Sequence, residues 1–88
     1  MAQLRVTPEQ LQGRASEYRG QGEIVEGVIE KLDSLINVLE SEWEGNSASR
    51  YISQYSDLRP SFVSMHQLIT DLASELDKEA KKFADADT

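Results

Sequence analysis

The sequence predicts an all-α protein, an antiparallel two-helix hairpin that pairs with a second hairpin as a four-helix-bundle dimer. Three observations carry that expectation. Apolar residues recur in alternating steps of three and four through two long runs, and one short break holding Trp43 and Gly45 separates them. The first run also carries a second apolar stripe that a single hairpin contact leaves uncovered.

The first helix begins at Thr7-Pro8-Glu9-Gln10. Threonine accepts a hydrogen bond from a free N–H of the first turn, proline needs no donor at the first helical position, and glutamine reaches back to complete a capping box. The apolar seam then runs through Leu11, Ala15, Tyr18, Gly22, Val25, Ile29, Leu32, Ile36, Leu39 and Trp43. Trp43 is its last knob and is expected to close the hairpin tip.

In the break, Gly45 is the residue best able to adopt a left-handed, helix-ending conformation, and Asn46 or Ser47 can cap the next helix. The second run reads Ala48, Tyr51, Tyr55, Leu58, Phe62, Met65, Ile69, Leu72 and Leu76, with Phe83 one heptad later and only Glu79 out of pattern. Pro60 removes one backbone donor inside this run and predicts a kink, since the register crosses it unchanged. The whole chain is therefore expected to be one helical-hairpin domain, with helices over about 8–42 and 48–84 joined by a turn over about 43–47.

Ile24, Val28, Leu35 and Val38 form the second stripe on the first helix, displaced around it from the seam. Burying four such side chains is worth roughly 6–12 kcal/mol as an upper bound, comparable with the whole stability of a small domain, so this stripe is the expected dimer interface. Gly13, Gly20 and Gly27 recur every seven residues beside it, and each weakens a helix by about 1 kcal/mol relative to alanine. Close approach of a second subunit gives that regularity a use; a loosely wound solvent face is the alternative.

Composition narrows the function. The chain has 88 residues, nine Lys and Arg against sixteen Asp and Glu, a net charge of −7 and no cysteine. Scattered basic residues on an acidic chain do not make a phosphate-tracking surface, so neither nucleic acid nor an anionic membrane is an expected partner, and no stable membrane insertion is expected. No apolar stretch approaches membrane-spanning length, and the start of the chain lacks a charged region leading into an apolar one, which predicts export, if any, without a conventional cleaved signal. His66 is the only histidine and has no metal-ligand company; Glu40, Glu42 and Glu44 near the tip point in different directions around a helix. With no phosphate loop or nucleophile elbow, no catalytic site, metal or cofactor is expected.

A small acidic chain with two heptad runs meeting at Trp43-Glu44-Gly45 resembles the WXG100 family, the ESAT-6-like substrates of type VII (ESX) secretion systems. The resemblance covers essentially the whole chain. It implies a secreted helical protein acting outside the cell through protein–protein contacts, as effector, co-secreted helper or secretion-system component. In the family, a Tyr-x-x-x-Asp/Glu element follows the second helix, which Phe83-Ala-Asp-Ala-Asp87 resembles with phenylalanine in place of tyrosine. The Trp-x-Gly turn of one subunit lies near that element of the other, so the resemblance implies a bipartite export motif read by the secretion ATPase. Trp43 and Gly45 form its first half, Phe83 and Asp87 its second. Implied partners are a second copy of the chain, that ATPase and other type VII substrates. A cytoplasmic coiled-coil adaptor or chaperone for a larger secreted toxin is the alternative.

Overall fold

The computed structural model describes residues 6–86. They form two helices, α1 (Pro8–Glu42) and α2 (Asn46–Ala86), folded back on each other into a rod of 65 × 22 × 15 Å. Its radius of gyration is 19.4 Å. A compact chain of this length would have about 12 Å. The molecule is therefore all surface and little interior.

The capping box at Thr7 starts α1. Thr7 Oγ1 accepts from the Gln10 N–H at 3.1 Å, and Gln10 Oε1 accepts from the Thr7 N–H at 2.8 Å, satisfying two donors reciprocally. At the other end α1 stops at Glu42. Trp43 is already extended (φ −122°, ψ 113°), although its N–H still donates to the Leu39 carbonyl at 2.8 Å.

Gly45 has φ +116°, where an L side chain is strained, and its carbonyl accepts from the Ser49 N–H at 3.2 Å. The glycine thus turns the chain directly into α2. Asn46 and Ser47 lie inside that helix instead of capping it. α2 then continues through Pro60 without interruption.

The α1 seam buries Leu11, Ala15, Gly22 and Ile29 and half-buries Val25, Leu32, Ile36 and Leu39, as predicted, whereas its members Tyr18 and Trp43 stay exposed. The helices approach closely at Gly22, since a Cβ there would lie 3.3 Å from Ile69 Cγ2 and 3.4 Å from Thr70 Cγ2. The α2 seam requires correction. Tyr51, Leu58, Met65 and Leu72 are exposed, while Ile52, His66, Ala73 and Ala80 are buried or half-buried.

The seam facing α1 passes through Ala48, Ile52, Tyr55, Phe62, His66, Ile69, Ala73, Leu76, Ala80 and Phe83, with exposed Arg59 at its edge, so that Glu79 is no interruption. Positions 48, 55, 62, 69, 76 and 83 belong to both patterns. Their companions lie either three or four residues later, and hydropathy favours the greasier set. Packing takes the other: small Ala73 and Ala80 let the helices close up, half-buried His66 lies opposite a carboxylate of α1, and exposed Arg59 reaches across the seam edge to another.

Those carboxylates belong to a ladder of cross-helix ties. Arg19 pairs with Asp77, Glu26 Oε2 lies 3.6 Å from His66 Nε2, and Asp33 binds both Tyr55 and Arg59. Positions 19, 26 and 33 are seven apart and so occupy one flank of α1. The second apolar stripe occupies the opposite flank.

Candidate functional site: an open apolar face and the hairpin tip

Ile24 and Val28 are 58% and 52% exposed, and Leu35 and Val38 are also exposed, so the hairpin leaves this stripe uncovered. One shallow groove joins Ile24 and Val28 to Phe62 and Met65 across the helix boundary, and another joins Leu35 and Val38 to Tyr55. Exposed Leu58, Met65 and Leu72 extend the apolar surface along α2. Heptad spacing predicts these three in the hairpin core, and the structure turns them outward. Space beside Gly13, Gly20 and Gly27 is open, so the hairpin's own packing does not call for glycine there.

Polar geometry on the other flank is tight. Tyr55 donates its hydroxyl to Asp33 Oδ1 at 2.6 Å, while Arg59 donates Nε–H to Oδ1 at 2.9 Å and Nη2–H to Oδ2 at 2.8 Å. The hydrogen bond from Arg59, followed by that from Tyr55, holds the Asp33 carboxyl at about 2, below its ordinary 3.8. Tyr55 is pushed up in turn because Asp33 accepts its proton in a hydrogen bond. Both partners lie along the inter-helix seam, which suits a helix-to-helix clamp.

At the tip, Trp43 keeps 39% of its surface exposed. Its ring stacks on Tyr51 with centroids 6.1 Å apart and planes 23° from parallel, and the Arg50 guanidinium carbon lies 5.1 Å from the Tyr51 centroid. Beside them a shallow cleft is lined by Glu40, Glu44, Gly45, Ala48 and Ile52. Heptad spacing predicts Tyr51 as a seam residue, whereas the structure leaves it exposed against Trp43. The available signal was its place one and a half turns into α2, just across the break from Trp43.

Phe83 is half-buried on the inner face of α2 near its end. Asp87 lies outside the described residues. Among the described residues no cluster of three or more His, Asp or Glu could hold a metal ion, and no helix is long and apolar enough to cross a membrane.

Comparison with known proteins gives this geometry a context. The chain is 36% identical over 84 residues to protein YukE of Bacillus subtilis, spanning 96% of this chain and 87% of that protein. It is 22% identical over 87 residues to the type VII secretion system extracellular protein A of Staphylococcus aureus, spanning 99% and 90%. The fold superimposes on EsxA of Geobacillus thermodenitrificans with a TM-score of 0.90 at 36% identity, covering 99% of this chain and 94% of that one. The secreted protein EsxB of Bacillus anthracis matches with a TM-score of 0.86 at 23% identity over the full length of both chains. The family model for proteins of 100 residues with WXG matches residues 3–88, which include both helices and the Trp43-Glu44-Gly45 break between them, and the chain therefore belongs to the WXG100 family.

Proposed function

We propose that this chain is a homodimeric substrate of a type VII secretion system, exported folded without a cleaved signal and acting outside the cell through protein–protein contacts. The observation that carries the reading is the continuous apolar face of Ile24, Val28, Leu35 and Val38, left open on a hairpin whose Trp-x-Gly tip also remains accessible. A second copy covers the face most economically, because each chain supplies the same stripe and a two-fold pairing buries both together. Trp43 and Gly45 of one subunit then join Phe83 and Asp87 of the other as the element that the secretion ATPase reads. Relatives named as type VII secretion extracellular proteins support the export half of the proposal.

Export and mass test it together. Deleting the secretion ATPase from producing cells should move the protein from the medium into the cell pellet, and the purified protein should scatter light as a dimer. Permanent retention in wild-type cells would favour the cytoplasmic adaptor instead.

A further inference from the structure

Trp43 caps the end of α1, tied to its last turn only through its backbone N–H. α1 ends one residue earlier and the Trp43 backbone is extended, so the orientation of its ring depends on what α2 places beside it. That neighbour is Tyr51, stacked at 6.1 Å and 23°. Tyr51 is itself 51% exposed and lies off the seam, which passes through Ala48, Ile52 and Tyr55. Its ring is therefore not needed to fill the hairpin interior. Arg50, with its guanidinium carbon 5.1 Å from the Tyr51 centroid, restrains the tyrosine from its own helix.

We infer that Tyr51 is the positioning residue of the tip: it holds the Trp43 ring in one orientation for the partner that reads the Trp-x-Gly turn. This rests on the reading of that turn as an export element. Stacking of this kind shifts an equilibrium by about 2- to 10-fold, and a partner that binds only the stacked form loses apparent affinity in proportion to the form's population. Tyr51 thus tunes recognition, whereas Trp43 supplies it. The ring plane is the requirement, and the hydroxyl is dispensable.

The test compares four variants in producing cells and as purified dimers. Tyr51→Ala should lower export about 2- to 10-fold and red-shift the emission of Trp43, the chain's only tryptophan, with helicity and dimer mass unchanged. Tyr51→Phe should export normally with native emission. Tyr51→Leu, which keeps apolar bulk without a ring, should behave like Tyr51→Ala. Trp43→Ala should stop export.

Normal export of both Tyr51→Ala and Tyr51→Leu beside a blocked Trp43→Ala would overturn the positioning role and leave the export reading intact. A Tyr51→Phe defect as deep as that of Tyr51→Ala would overturn it by assigning the work to the hydroxyl. Loss of the dimer in both Tyr51→Ala and Tyr51→Leu would overturn it by assigning the residue to subunit pairing. Normal export of Trp43→Ala would remove the export reading itself, and this inference with it.

Discussion

Asp33 of α1 and Arg59 of α2 face each other with two parallel hydrogen bonds of 2.9 and 2.8 Å, a charged clamp along the flank of the inter-helix seam. Geometry of this kind matches the planar guanidinium to both carboxylate oxygens, which a lysine could not do. It ties the two helices on the side of the rod nearer the Gly45 turn.

The clamp makes stability depend on acid. Asp33 titrates at about 2 in the folded chain against an ordinary 3.8, so the unfolded chain binds the proton more readily. A depressed folded value stabilises the fold above the unfolded pKa, and that contribution is lost as pH falls from about 4 towards 2. Melting temperature measured across that window should fall less steeply for Asp33→Asn than for the natural chain, while at neutral pH the variant melts lower. Parallel pH profiles for the two proteins would exclude the clamp as the cause.

Val28→Asp combined with Leu35→Asp should abolish the dimer. Each carboxylate would be buried without a partner against the second copy, whereas in an isolated hairpin both positions are solvated. Light scattering at micromolar concentration should report monomers or unfolded chains. An intact dimer of the double variant would place the interface elsewhere.

Glycine positions should separate by what surrounds them. Gly22→Leu should destabilise by about 1–3 kcal/mol, since even a Cβ would lie 3.3 Å from Ile69. Gly13→Ala has open space in the hairpin and should stabilise by about 1 kcal/mol through helix propensity alone. Thermal melts of the two variants should move in opposite directions.

Trp43→Ala should divide folding from export. A ring 39% exposed contributes less than the about 3–5 kcal/mol of a fully buried aromatic, so the variant should remain a folded helical dimer. Circular dichroism and fractionation of the same variant are decisive: preserved helicity with protein retained in the cell is the expected pair of results.

At the far end, Phe83→Ala should lower the melting temperature as well as export, because the ring is half-buried on the seam. Phe83→Tyr should be exported normally, as the ring keeps its size and its place on the seam. Asp87→Ala should reduce export without altering the melt. Export of Asp87→Ala at the natural level would leave the Trp-x-Gly tip carrying the signal.

Local chemistry made much of this molecule legible in one dimension. The Thr7 capping box, the α1 seam from Leu11 to Leu39, the break at Trp43-Glu44-Gly45 and the uncovered stripe at Ile24, Val28, Leu35 and Val38 each follow from spacing within a single helix or turn. What α2 turns towards α1 could not be read in that way. Ala48, Tyr55, Phe62, Ile69 and Leu76 serve two heptad patterns equally, and the choice between Leu58, Met65 and Leu72 on one side and Arg59, His66 and Ala73 on the other depends on the opposite helix. Tertiary packing decided it through close approach at Gly22 and through the carboxylates of Glu26 and Asp33, which lie opposite His66 and Arg59. The same rotation placed Tyr51 beside Trp43, a contact between residues eight apart whose rings meet only because Gly45 reverses the chain between them.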